Sequence, residues 1–193
     1  PVTLIDGAPS EQKLKSETAY LTFALKPFTT AGSELKDMIV PQVVKIENFD
    51  QAELSKSRVL ILANVAKLND KQLKKVEDFV NNGGGLMIFP GDKVDYNWYN
   101  NQLLKNGRGL LPLKLGPISS KDDKEDYASI VSQHYDHSAL DLFNDPRNGS
   151  LAGARIKLWY RLMPPDTGGE TDGIINTIAK LDTGDSFMVE KKF

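Results

Sequence analysis

Between Arg58 and Phe89 the sequence changes hydrophobic period twice, and this constrains the fold more than any other feature. Arg58-Val59-Leu60-Ile61-Leu62-Ala63 is apolar without a break after its first residue, as suits a strand buried on both faces of a parallel sheet. A helix is expected next. Asn69 stands where an N-cap is needed, and Gln72 three residues later completes a capping-box pattern. Leu73, Val76, Phe79 and Val80 make one apolar stripe, with Lys71, Lys74, Lys75 and Asp78 turned to water. Gly83-Gly84-Gly85 supplies the left-handed residue that ends such a helix. Leu86-Met87-Ile88-Phe89 resumes at once as a further buried strand. Strand, helix and strand in so short a span imply a right-handed crossover and parallel pairing.

The rest of the first half repeats that alternation. Val2-Thr3-Leu4-Ile5 reads as a strand, stopped by Asp6-Gly7-Ala8-Pro9. Residues 16 to 25 read as a helix: Tyr20, Phe23, Ala24 and Pro27 fall at i, i+3, i+4 and i+7, and Pro27 marks its stop. Val43-Val44-Lys45-Ile46 is another strand candidate. The second half is less regular. Residues 96 to 104 suggest a short helix, and residues 110 to 133 read as loop or excursion. Ile156 to Leu162 alternates like a strand with one wet face. Ile174 to Leu181 and Phe187 to Val189 suggest an antiparallel hairpin about Asp182-Thr183-Gly184-Asp185. The expected class is α/β: a three-layer, doubly wound, mainly parallel sheet of flavodoxin or Rossmann type, with an antiparallel hairpin extension near the C-terminus. Residues 1–193 read as a single domain.

Composition excludes several chemistries. Hydrophobic residues are 40% and charged residues 26%, a globular balance. The formal charge of -2 gives no bulk attraction for nucleic acid. Acids and bases alternate in Lys121-Asp122-Asp123-Lys124-Glu125-Asp126, which reads as a solvated loop. With no cysteine in the chain, disulfides, thiolate metal sites and cysteine nucleophiles are all out of reach. No apolar run approaches the ~20 residues of a membrane helix, so direct insertion of this segment is not expected. The sequence opens at Pro1 and stops at Lys191-Lys192-Phe193, straight after a strand-like run. The expectation is a piece of a longer protein, with any targeting segment or anchor outside it.

Phe79-Val80-Asn81-Asn82-Gly83-Gly84-Gly85-Leu86-Met87-Ile88-Phe89-Pro90-Gly91 resembles the helix-to-strand approach of class I glutamine amidotransferase-like domains. Further segments follow in matching order: Leu4 to Pro9, Ser16 to Leu21, Leu62 to Val65, Gly91 to Asp95 and Asp136 to Leu140. Together, over nearly the whole chain, they resemble the amidotransferase-like domain of bacterial membrane-anchored proteins. Those proteins also carry a von Willebrand factor A module and are related to aerotolerance-operon proteins. In active relatives the strand after the glycine turn ends at a nucleophile elbow. The equivalent position here is Pro90, followed by Gly91. Proline has neither a nucleophilic atom nor a backbone N–H for an oxyanion hole. A shift of one or two residues would substitute Phe89, Gly91 or Asp92, of which only Asp92 can do covalent chemistry.

The resemblance therefore implies a degenerate elbow and no catalytic residue. The function it implies is binding or assembly, with other domains of the same protein, a von Willebrand factor A module among them, as partners. No cofactor is expected. An alternative is a hydrolase or amidotransferase-type enzyme using Asp92 with His134 or His137. A second is a small-ligand domain for sugar-type metabolites, as in trehalose-utilisation-type relatives. His134-Tyr135-Asp136 echoes the base-orienting pair of active amidotransferases, but the favoured reading is structural: Asp136 caps a short helix through Ser138 to Leu142, with His137 in its first turn. The spacing of His134, Asp136 and His137 fits no standard zinc signature, and no metal site is assigned. The better candidate pocket is Asp6, Asn64 and Asp92. Each follows an apolar strand, and ligands of open α/β sheets sit outside the strands' carboxyl ends. The bland reading is that each organises a turn or caps a helix, and it is preferred. Tyr96, Trp98 and Tyr99 form an aromatic group suited to a contact surface or to the interior.

Overall fold

The computed structural model describes residues 1–12, 16–26, 39–121, 126–131, 134–166 and 172–193. Pro27 and most of the charge run from Lys121 to Asp126 lie outside the described residues. The chain packs as two compact units, Pro1–Asp95 and Tyr96–Phe193.

The first unit is α/β. Its elements are β1 (Val2–Asp6), α1 (Glu17–Leu25), β2 (Pro41–Lys45), β3 (Val59–Ala63), α2 (Asp70–Asn81) and β4 (Gly85–Phe89). The four strands form one parallel sheet in the order β2-β1-β3-β4. β1 lies between β2 and β3, with Ile5 opposite both Val44 and Leu62. Leu4, Ile5, Leu60 and Leu62 are fully buried, because the two central strands have neighbours on both sides and cover on both faces.

The local signals of α2 are met. Asn69 Oδ1 accepts from the Gln72 N–H at 2.9 Å, and Gln72 Oε1 accepts from the Asn69 N–H at 3.0 Å, so the capping box is complete. At the other end Gly83 has φ +86°, its N–H bonds Val80 O, and the Gly84 N–H bonds Phe79 O. This paired Schellman arrangement needs a left-handed residue, which glycine adopts without strain.

Four expectations are corrected in this unit. The stripe of Tyr20, Phe23 and Ala24 on α1 faces outward: Tyr20 is 65% and Phe23 63% exposed, while Thr18 is the buried residue. Its hydroxyl serves the strand ends, so α1 is turned by a polar contact rather than by its apolar spacing. The strand at residues 43–46 begins earlier, at Pro41, and ends at Lys45. β4 is not buried on both faces but forms one edge of the described sheet, with Met87 and Phe89 exposed. Lys75 does not face water. Its Nζ donates to Phe49 O, Asp50 O and Ala52 O at 3.0, 2.7 and 2.9 Å, tying α2 to the end of a 3-10 turn at Ile46–Gln51.

The second unit begins with α3 (Tyr96–Trp98), which runs into a π-type turn at Tyr99–Leu104. Tyr99 is fully buried and meets the Trp98 ring edge-on at 5.4 Å, so the aromatic group is largely interior, with Tyr96 exposed. β5 (Lys114–Ser119) pairs antiparallel with β6 (Trp159–Met163). β5 lies in the stretch read as loop, because Gly116 and Pro117 interrupt its pattern and the register shifts between Leu115 and Ile118. The expected C-terminal hairpin is present as β7 (Ile174–Lys180) and β8 (Ser186–Lys192). A small core of Ala128, Ile130, Tyr135, Leu140, Trp159, Ala179 and Leu181 lies beside it.

The Lys75 contact supplies a check. Lys75→Met should destabilise the chain by about 1–3 kcal/mol, since three carbonyls lose a charged donor. Lys71→Met, on the exposed side of the same helix, should change stability by less than about 0.5 kcal/mol. Urea midpoints of the two variants measure the difference, and equal midpoints would contradict the assigned contact.

Candidate functional site

Asp6, Asn64 and Asp92 lie at the carboxyl end of the parallel sheet, where backbone geometry brings their elements together. The Gly7 N–H bonds Ala63 O at 2.9 Å and the Asn64 N–H bonds Phe89 O at 2.9 Å, so the parallel pairing continues one residue past β1 and β3. Asn64 then turns into the left-handed region with φ 48°, a conformation asparagine tolerates better than most side chains. Its side chain is 2% exposed and fully engaged. Oδ1 accepts from the Lys93 N–H at 2.9 Å, while Nδ2 donates to Glu17 Oε1 at 3.1 Å and to Asp92 Oδ1 at 2.8 Å.

Two glycines permit this packing. A Cβ on Gly7 would fall 2.2 Å from Asn64 O, and one on Gly91 would fall 2.4 Å from Asn64 Cγ. Both turns therefore close on Asn64 because neither carries a side chain. The start of α1 completes the site. Asp6 is buried; its Oδ1 accepts from the Ala8 N–H at 3.1 Å, and its Oδ2 accepts from the hydroxyls of Ser16 at 2.5 Å and Thr18 at 2.8 Å. Ser16, Glu17 and Thr18 thus link α1 to both Asp6 and Asn64. Asn64 and Asp92 are bonded directly, Asp6 is joined to them through the start of α1, and Ser16, Glu17 and Thr18 are the partners that strand-end reasoning did not supply.

Asp92 is largely exposed, with Lys93 Nζ 3.3 Å from its Oδ2. The bond from Asn64, followed by the Lys93 contact, holds its carboxyl below the usual carboxylate range. Depression has a definite sign: Asp92 supports folding above the ordinary carboxylate range, and that support is lost as the pH falls through its lowered value.

The histidines belong to the second unit. His134 is exposed, its Nε2 3.8 Å from Asp136 Oδ1. Asp136 does not cap the following turn. His137 Nδ1 accepts from the Ala139 N–H at 3.2 Å instead, and its Nε2 lies 3.2 Å from Glu190 Oε2. Where an aspartate cap was expected, the imidazole takes the local hydrogen bond. Among the described residues, no group of three or more His, Asp or Glu is placed to hold a metal ion.

No family model matches the sequence, and no curated protein matches it. Among solved structures, the chain is similar to alpha-L-fucosidase isoenzyme 2 from Paenibacillus thiaminolyticus, at 16% identity and a TM-score of 0.47. That alignment covers 93% of this chain and 22% of the fucosidase, so the chain spans about a fifth of that enzyme's length.

Asn64→Asp tests the arrangement with minimal change of shape. The substitution removes the donor between Glu17 and Asp92 and adds a third carboxylate, so its own proton should be held more tightly in the folded chain than in the unfolded one. The expected cost at pH 7 is about 2 kcal/mol or more, shrinking as the pH is lowered toward 4 because protonation relieves the repulsion. Denaturation of both proteins across that range measures it; a pH-independent difference would contradict the geometry.

Proposed function

We propose that this chain is a non-catalytic, amidotransferase-like domain that acts by binding, as an assembly element of a larger membrane-associated bacterial protein. The observation that carries the reading is the turn after β4. By resemblance, Pro90 stands where amidotransferases hold a nucleophile, and Gly91 is packed against the Asn64 amide too closely to carry a side chain. Asp92, the remaining reactive group, has its carboxylate engaged by Asn64 and Lys93. The hydroxyls and carboxylates at the strand ends are spent on one another, as suits a structural pin.

The strand order supports the finer fold assignment. β1 to β2 and β3 to β4 step in opposite directions across the sheet. Right-handed crossovers then put α1 and α2 on opposite faces, which is the doubly wound, flavodoxin-like layering. No described helix is long and apolar enough to cross a membrane. The partner proposed is another domain of the same polypeptide, a von Willebrand factor A module by resemblance.

Two measurements test the proposal. The chain should release no ammonia from glutamine, and hydrolyse no activated ester, faster than an Asp92→Asn variant. A turnover that Asp92→Asn abolishes would overturn it. In the natural protein, lysine cross-linking should join residues 1–193 to a neighbouring domain, and cross-links confined to this segment would contradict the assembly role.

A further inference from the structure

The second unit holds an open groove of about 520 Å³, lined by residues of β5, β6 and the β7–β8 turn. That volume lies within the range of small-molecule sites. Ser119 and Ser120 come from the end of β5, Trp159 and Arg161 from one side of β6, and Thr183 and Asp185 from the turn. These six belong to the second unit and take no part in the strand-end cluster.

The arrangement around Arg161 is that of an arginine held in place and only partly used. Asp185 Oδ2 accepts from the Trp159 indole N–H at 2.8 Å and from the Thr183 hydroxyl at 3.2 Å. Its Oδ1 lies 3.5 Å from Arg161 Nε. The turn itself is pinned, since the Leu181 N–H bonds Asp185 O and the Asp182 N–H bonds Ser129 O, both at 2.9 Å. A buried tryptophan thus fixes a carboxylate, and that carboxylate lies within ion-pair range of the inner nitrogen of the Arg161 guanidinium. Arg161 is 55% exposed at its side chain, and among the described residues no partner is recorded for its two Nη groups. Arg147 differs in place: Asp145 takes its Nε and one Nη, and its side chain, 89% exposed, does not line the groove.

We propose that this groove binds a carboxylate, received by the outer edge of Arg161 with the Ser119 and Ser120 hydroxyls as further donors. A guanidinium presents paired N–H groups that match the two oxygens of a carboxylate, and a lysine ammonium does not. The other charges argue against recognition by bulk field. Lys121 is already paired with Asp182 at 3.0 Å and Asp126 at 3.7 Å, and with Arg161 and Asp185 the local cations do not outnumber the anions. Selectivity therefore rests on bidentate geometry. Asp185 is a positioning residue: it touches Arg161, not the ligand.

The test uses the intact chain and two-dimensional NMR, reading the Trp159 indole N–H and the Arg161 Nε–H. Sodium succinate should shift both signals saturably, whereas sodium chloride at equal ionic strength and glycerol should not. Arg161→Lys, which keeps the charge, should weaken binding at least about tenfold, and Arg161→Gln should remove saturation. Asp185→Asn should weaken it with less effect than Arg161→Gln, and Arg147→Lys should leave it unchanged. A blocked peptide, acetyl-Ala-Asp-Ala-amide, separates the sources. Tighter binding of succinate assigns a free small acid, and tighter binding of the peptide assigns an acidic side chain of a partner. Equal shifts with chloride, or undiminished succinate binding by a folded Arg161→Gln variant, would overturn the proposal.

Discussion

The carboxyl end of the parallel sheet depends on one residue, Asn64, whose backbone turns left-handed as its side chain makes three hydrogen bonds. It follows β3 directly, so the turn after β1, the start of α1 and the turn after β4 all meet it. Gly7 and Gly91 lie against it because no side chain would fit. An amide is suited to this place: one oxygen takes the Lys93 N–H, and one nitrogen separates the Glu17 and Asp92 carboxylates. Neither a carboxylate nor an apolar side chain can do both.

That clasp decides what the strand ends can do. In open α/β sheets this edge is where a ligand or a catalytic group usually sits. Here Asp6 accepts three hydrogen bonds from within the chain, and Asn64 spends its donors on Glu17 and Asp92. The second unit handles its polar groups differently. Trp159 and Thr183 fix Asp185, and among the described residues the neighbouring Arg161 has only its inner nitrogen engaged. The two regions thus illustrate opposite outcomes of the same chemistry, one network closed on itself and one ending in an unspent donor.

How much of this the sequence disclosed follows from the range of each interaction. The capping box of Asn69 and Gln72 and the glycine stop at Gly83 are contacts between near neighbours, and both were legible. The strand-end positions of Asp6, Asn64 and Asp92 could also be read, because each follows an apolar run. Their partners could not, since Glu17 and Asn64 are 47 residues apart and nothing local records the meeting. The edge position of β4 was hidden for the same reason: a run of Leu86 to Phe89 looks alike at the centre or edge of a sheet. On α1 a polar contact through Thr18 outweighed an apolar spacing, and in β5 Gly116 and Pro117 concealed a bulged strand.

Hydrogen exchange at the backbone amide of Lys93 probes the clasp most directly, because that N–H sits in a turn and is held, among the described residues, by the Asn64 side chain alone. If the strand-end network is a closed structural pin, this amide should exchange as slowly as those of the central strands, through openings close in free energy to global unfolding. Exchange at the rate of an exposed loop would show that the strand ends open freely, and would contradict the account.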